Sequence, residues 1–504
     1  LMAVELGSVI CTGDGPSPSE FSFVVTADGQ IPVRCSQFVE LETEEGKVIA
    51  FVTRVVKTNR YFMRPESVRE YERGGRSLAS IFPADRWEYL IADAKAVGVW
   101  TGQGLERVSF PPSPGQKVYE ADPSTLSGFL GFDDRGIEIG RLKCHDLQVK
   151  LNLTELLRKH VAILSQSGGG KSYTLGVIVE ELLDRSPERG RVAIVVVDVH
   201  GEHTCFAESE GYRDRVAVLP ARDVRVGVPN LSSSSFREFV PDMTEAQARE
   251  LQRVLDELRA EMRSGGGPFG LDEVIRRVEQ GCGLHRQMQQ ALLGWLFDLR
   301  SLGMFDRADF PNWEEMVEPG KAVILDMSDM TSLRKKQILV AYVARKLFNA
   351  RKRGRVPPFV LCLEEAHNFC PSEAAISKHI IETIAREGRK FYASLVLVSQ
   401  RPVRLSTTAL SQVNTNIILR VTNPYDLEHI KQSSEAITGE VIDMVSSLPV
   451  GEALIVGEAV NHPIFIKVRR RRSRESPHGL SLEEASREYE ARVRREREDT
   501  RAFM

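Results

Sequence analysis

Three absences narrow the reading of this sequence before any motif is considered. No two of its seven cysteines, at 11, 35, 144, 205, 282, 362 and 370, stand at the C-x-x-C spacing of a zinc or redox site. Free buried thiols in a reducing compartment are therefore expected. No stretch reaches the ~18 consecutive apolar residues of a membrane-spanning helix. The opening "LMAVELGSVI" has no basic segment followed by an apolar one, so no signal peptide, no membrane partner and a cytoplasmic location are expected. A dominant charge is also lacking: 67 Lys and Arg stand against 70 Asp and Glu, a formal net charge of -3. No global field attracts nucleic acid, although a ring or channel can concentrate basic residues where phosphates pass. What 504 residues, 42% hydrophobic and 27% charged, do provide is material for about three globular domains.

From residue 4 to 115, short runs alternate with turn residues. "SEFSFVV", "IPVRCSQFVEL" and "KVIAFVTRVV" read as strands, with "TADGQ" and "ETEEGK" between them and a further short run, "RVSFPP". A small N-terminal β-barrel is expected, into which "SVREYERGG" and "LIADAKAVGVW" fit less well. A second region, 135–235, opens near "GFDDRGIEIGRL" and contains "VAIL" and the near-continuous apolar run "VAIVVVDV". It resumes over 318–468 with "AVILDM", "FVLCLEE", "ASLVLVSQ" and "NIILRV". Apolar strands alternating with helical stretches imply an open α/β sheet. Residues 236–317 break this texture with three helical segments and the glycine break "SGGGP", a helical insertion. A charged arm, 469–504, closes the sequence. Ser481 and Glu484 have the spacing of a capping box, and the helix after them is either a solvated helix or an arm that docks on another subunit.

The chemistry begins at "VAILSQSGGGKSYTLGVIVEELL". A strand, a glycine-rich loop, Lys-Ser and a helix form the context of a phosphate-binding loop. Backbone N–H groups from Ser167, Gly168, Gly169 and Gly170 to Tyr173 converge on phosphates at a helix N-terminus; Lys171 adds a charge and Ser172 a hydroxyl for Mg2+. ATP and Mg2+ are the expected cofactors. The departure is Ser165, where the motif has its leading glycine; serine fits there if its φ stays negative or strain is tolerated. "FVLCLEEAHNF" places Glu364 and Glu365 at the carboxyl end of an apolar strand, where open sheets bind ligands. Glu364 is assigned to magnesium through water and Glu365 to the attacking water, an order that reverses if the strand runs one residue longer.

"VVVDVHGEHT" brings Asp198, His200 and Glu202 to the same edge. A metal site from His200, Glu202 and His203 would crowd its ligands too closely to wrap one tetrahedral ion, so Asp198, His200 and Glu202 are expected to support the magnesium site from outside its ligand set. "ETIAREGRKFYASLVLVSQRP" supplies Arg386, Arg389 and Lys390 before a strand that ends at Gln400 and Arg401. Those cations either complete a neighbouring subunit's site or form an ordinary basic turn, and Gln400 is placed to sense the γ-phosphate.

These blocks, in this order, resemble the HerA family of the HerA/FtsK group of P-loop motor ATPases over most of the chain. The resemblance implies a RecA-like P-loop core with a helical insertion behind the N-terminal barrel, assembled as a hexameric ring around double-stranded DNA. It also implies a nuclease partner of the NurA type in DNA end processing, or another effector in antiviral systems. Lys171 and Ser172 match the family's phosphate-loop pair, Glu364 and Glu365 its acids, Gln400 its sensor, and Arg389, preferred over Arg386, its arginine acting across subunits. The chain departs at Ser165 and at Val199, where the family has glycine and proline. Neither change removes a charge.

The function expected is ATP-driven translocation or unwinding of double-stranded DNA, supporting nuclease-dependent end resection. The alternatives are a nucleotide-controlled assembly platform for a nuclease or antiviral effector, and a motor acting on protein. Paired glutamates argue for hydrolysis over a pure switch. A translocase grips phosphates without reading sequence; Arg334, Lys335 and Lys336, the run Arg351, Lys352, Arg353 and Arg355, and Arg401 are candidates. The tail arginines 469–472 are candidates for reaching a neighbouring subunit.

Overall fold

Six apolar strands of the second region lie parallel, in the order Val216–Pro220, Ala322–Asp326, Ala193–Asp198, Phe359–Leu363, Ala393–Ser399, Val161–Leu164. Four of them, Ala193–Asp198, Phe359–Leu363, Ala393–Ser399 and Val161–Leu164, are buried at every position, which is why their runs lack polar alternation. The computed structural model describes residues 4–502 except 12–14, 27–32, 60, 61, 63, 64, 74–87, 102, 103, 282, 434–436, 438 and 476–481. The chain divides into two units, Leu1–Leu156 with Asn414–Arg469, and Leu157–Val413 with Arg470–Met504. Residues 135–156 and 414–468 thus lie in the first unit.

The first unit contains a closed barrel. Strands Glu20–Val25, Glu5–Ile10, Lys117–Glu120, Phe38–Thr43, Gly46–Asn59 and Glu88–Trp100 pair antiparallel in that order, and Phe23 opposite Ala92 closes the ring. The two longest strands carry register shifts between Ile49 and Ala50 and between Val52 and Arg54. Such bulges bend a strand enough to close a small barrel. "LIADAKAVGVW" belongs to the barrel: Ala92 and Ala94 face inward and leave room for Phe21 and Phe23. Packing overrides the low strand propensity of alanine. "RVSFPP" forms no strand; pairing goes to Leu105–Glu106 and Lys117–Glu120 instead. "SVREYE" lies in helix Pro65–Glu72, while most of "TADGQ" lies outside the described residues.

A second antiparallel series in this unit runs Thr415–Ile418, Glu452–Gly457, Ile464–Val468, Ile137–Leu142, Gln148–Leu151. "NIILRV", expected as part of the α/β alternation, is therefore an antiparallel strand. Its apolar run is explained by burial at all four positions.

In the second unit, helices Lys171–Leu183 and Leu333–Lys352 follow their strands, and Lys378–Glu387 precedes Ala393–Ser399. Between Val216–Pro220 and Ala322–Asp326 lie helices Ser233–Phe239, Glu245–Arg263, Leu271–Gln280 and Arg286–Ser301. Thr244 and Gln247 cap the second of these reciprocally, and Ser264 ends it before the glycine break. Residues 470–474 lie along helix Lys171–Leu183. There the buried Glu180 accepts the N–H groups of Arg472 and Ser473, both at 2.9 Å, and the Ser473 hydroxyl at 2.7 Å. Arg471 and Arg472 are thus engaged within their own chain, against the expectation that these tail arginines reach a neighbour. Helix Leu482–Ala502 follows; its expected cap, Ser481, lies outside the described residues.

Six free cysteines are described, of which Cys205, Cys362 and Cys370 are buried and Cys11 and Cys35 exposed, so the thiols are not uniformly internal as expected. Among the described residues no helix is long and apolar enough to cross a membrane.

Candidate active site

Because the six strands are parallel, their carboxyl ends form one edge. Register puts Leu164 beside Ser399, Leu397 beside Leu363, and Val197 beside Leu363. The phosphate loop, Glu364, Glu365, Asp198 and Gln400 consequently emerge side by side.

Ser165 leaves its strand fully buried, its N–H donating to the Ser399 carbonyl at 3.2 Å and its hydroxyl to the Gln166 carbonyl at 2.8 Å. Positive φ falls on Gly168 (74°) and Gly170 (94°), not on Ser165. A Cβ at Gly169 would lie 2.0 Å from the Ser165 hydroxyl oxygen. Serine is accommodated here because its side chain occupies the space beneath a glycine. Gly170 then starts helix Lys171–Leu183, whose first N–H groups have no carbonyl of their own helix to bind. The Tyr173 side chain turns to the tail, its hydroxyl accepting the Arg471 N–H at 2.8 Å.

Glu364 and Glu365 follow immediately on strand Phe359–Leu363. Glu365 adopts φ 46°, a left-handed conformation costly for a side chain and typical of functional turns. Its Oε1 lies 3.3 Å from Lys171 Nζ and 3.9 Å from His200 Nε2; His367 Nδ1 is 3.4 Å from its Oε2. His367 also meets the Ser399 hydroxyl at 3.2 Å. Burial lowers the His367 pKa, and Arg401, Arg404 and Lys171 lower it further against the pull of Glu365.

Behind this pair is a buried cluster. Asp198 accepts the N–H groups of Gly201 (2.7 Å), Glu202 (3.0 Å) and His203 (2.8 Å), fixing the loop that follows its strand. His203 Nε2 reaches Glu364 Oε1 at 2.9 Å. Burial alone would raise the Glu364 pKa; the charge and hydrogen bond of His203, with Asp198 and Ser172 close by, outweigh it and hold Glu364 at about 2. Burial, with Glu364 nearby, pushes Asp198 up to about 7 in spite of His203. Glu364 is the ionised carboxylate of the cluster.

The donors fit a nucleotide with magnesium. Glu364 Oε2 and Glu365 Oε2 are buried and have no hydrogen-bond partner, a costly state that an incoming cation shell and a water would relieve. Ser172 and Glu364 are the residues that would hold Mg2+, and two protein groups suffice because this ion keeps most of its waters. Among the described residues no group of three His, Cys, Asp or Glu could hold a metal by itself. His200 and His203 turn to different glutamates, Glu365 and Glu364.

Residues 137–347 match the family described as the central domain of helicase HerA, and the DNA double-strand break repair helicase HerA of Pyrococcus furiosus is 26% identical over 514 residues, 89% of each chain. The chain is thus similar to HerA helicases over most of its length. A probable helicase of Methanocaldococcus jannaschii is 28% identical over 388 residues, 74% of each chain. Among solved structures, VirB4 of Thermoanaerobacter pseudethanolicus aligns with TM-score 0.50 at 16% identity, over 69% of this chain and 98% of that one. That likeness is one of fold, a RecA-like P-loop core.

The remaining candidate residues are spread more widely. Gln400 stands half-buried at the nucleotide edge beside the exposed Arg401, and Glu202 is half-buried on the Asp198 loop. Arg386, in the last turn of helix Lys378–Glu387, and Arg389 and Lys390, on the turn that follows it, are exposed ahead of strand Ala393–Ser399, at its amino end. Seven strand residues, ~23 Å, separate that turn from the nucleotide edge, so Arg389 does not reach its own site. Of the DNA candidates, Arg334 pairs with Asp298 of the insertion and Arg351 donates to the Phe391 and Val356 carbonyls. Lys335 is half-buried, Lys336 has its pKa lowered by burial, and Lys352 lies over the Phe348 ring. Arg353 and Arg355 border a cavity of about 300 Å³ with Arg345 and Lys346.

Sequence reading missed His367, Arg404 and the bond from His203 to Glu364. It also missed Glu180, whose signal was present: a carboxylate inside the apolar run "GVIVEELL", matched by a basic stretch far along the chain.

Proposed function

We propose that this chain is a HerA-family, ATP-hydrolysing motor that assembles as a hexameric ring, translocates on or unwinds double-stranded DNA, and serves nuclease-dependent end resection in break repair. The observation that carries the hydrolytic part is the meeting of Lys171 with Glu365 at 3.3 Å beside a buried Glu365 oxygen that makes no hydrogen bond. Arriving phosphates draw the Lys171 ammonium away from Glu365. The freed carboxylate, held by its left-handed turn next to His367 and His200, then orients a water for in-line attack. Ser172 and Glu364 would hold a magnesium ion, which would supply charge neutralisation on the phosphate oxygens. Gln400 stands at the same edge to register the γ-phosphate. Arg389, too remote from its own site, is the residue offered to the next subunit. The DNA part is supported by the relatives, whose names describe break-repair helicases, and by a loop chemistry that places positioning and electrostatics above covalent steps. The nuclease partner of the NurA type, or another effector, follows from the family alone.

The test is the ATPase rate of protein of known assembly state, with and without linear double-stranded DNA. Stimulation that ignores sequence and weakens as salt rises supports a motor gripping the phosphate backbone. A ring whose hydrolysis ignores DNA at low and moderate salt supports the assembly platform instead.

A further inference from the structure

We propose that His203 is a positioning residue for Glu364, fixing one carboxylate oxygen so that only the other is offered to the magnesium shell; its bearing on turnover rests on the hydrolytic reading above. Terminal carboxylate torsions are broad, so a glutamate at a metal shell points in a defined direction only if something else holds it. Here the holder is visible. His203 Nε2 binds Glu364 Oε1 at 2.9 Å, while Glu364 Oε2 is buried without a partner. The imidazole is held in turn: the Phe206 ring stacks on it at 6.3 Å with an interplanar angle of 25°, and the backbone N–H of His203 donates to Asp198 at 2.8 Å, fixing the loop that carries the ring.

The cost of this histidine argues that packing alone does not account for it. Its side chain is 1% exposed, yet Nδ1 has no hydrogen-bond partner. Leucine or phenylalanine would fill the same space beside Phe206 without leaving a buried nitrogen unsatisfied. What an apolar residue cannot supply is the N–H that pins Glu364 Oε1. Partners behind a metal-supporting carboxylate commonly govern its affinity for the ion by about 10–100-fold.

The test uses full-length protein carrying His203→Phe, which keeps the stack and removes the donor, and His203→Gln, which keeps a donor. Mn2+ binding in the presence of ADP is read from loss of the free-ion electron paramagnetic resonance signal, and ADP binding is read separately without metal. His203→Phe should weaken Mn2+ binding by about tenfold or more and leave metal-free ADP binding within about twofold, while His203→Gln should stay near the parent value. If His203→Phe fails to fold, His203→Asn, too short to reach Glu364, replaces it against His203→Gln. Equal Mn2+ affinity in the donor-less and parent proteins overturns the proposal, as does equal loss in the donor-less variant and His203→Gln. Because these readings need no turnover, a parent protein that hydrolyses no ATP but follows this Mn2+ pattern sinks the hydrolytic reading and leaves His203 in its role.

Discussion

The Ser165 hydroxyl fills the space that a side chain at Gly169 would need: a Cβ there would come within 2.0 Å of the oxygen. The two positions are therefore coupled. Ser165→Gly should leave activity within tenfold of the parent, a change below about 1.4 kcal/mol. Gly169→Ala should cost more than that, through the collision. The double variant should recover much of the loss, since Gly169 has no positive φ to forbid alanine and its next contact, the Gln166 carbonyl, is 3.2 Å away. Additive effects of the two changes would show that the collision is not what constrains the loop.

Arg389 should separate hydrolysis from folding and binding. With its turn at the amino end of strand Ala393–Ser399, Arg389→Ala should bind ATP and assemble, yet hydrolyse poorly. Arginines acting across subunits reach ~10³ to 10⁵ in rate in the strongest cases. Rings mixing Arg389→Ala with Glu365→Gln subunits should regain some activity at interfaces that pair an intact glutamate with a donated arginine. Near-normal hydrolysis by the homogeneous Arg389→Ala ring would move the role to Arg386 or out of this turn.

Acid should destabilise both units through buried neutral histidines. His145 accepts the Phe38 N–H at 2.9 Å, and His160 accepts the Leu395 N–H at 3.0 Å; burial lowers each pKa from 6.5 to about 4. The unfolded chain binds these protons first, so the stabilisation is complete above pH 6.5 and is lost as pH falls towards 4. Each group accounts for up to about 3 kcal/mol across that window. Thermal midpoints should fall steadily from pH 7 to pH 5. Replacing His145 by Gln should flatten that slope, and an unchanged slope would show that His145 is protonated without penalty.

How much of this could be read in advance follows sequence distance. The phosphate loop and the paired glutamates are contiguous, and the apolar strands before them announce the edge they occupy. The tie from His203 to Glu364 spans 161 residues and that from Glu180 to Ser473 spans 293, beyond what local pattern encodes. "NIILRV" and the parallel strands have the same apolar texture, because burial on both faces erases the alternation that would mark an antiparallel pair. "LIADAKAVGVW" hid its strand for the opposite reason: alanine there is selected by the width of the barrel, not by strand propensity.

The central claim is that Glu365, released from Lys171 by the phosphates, directs the water that cleaves ATP. Its most direct test measures ATP affinity and single-turnover hydrolysis separately in Glu365→Gln and Lys171→Ala. Glu365→Gln should bind ATP at least as well as the parent and hydrolyse it at least about 100-fold more slowly, within the range for loss of a catalytic base. Lys171→Ala should lose most of its affinity. Normal turnover in Glu365→Gln would contradict the assignment and hand the water to another carboxylate.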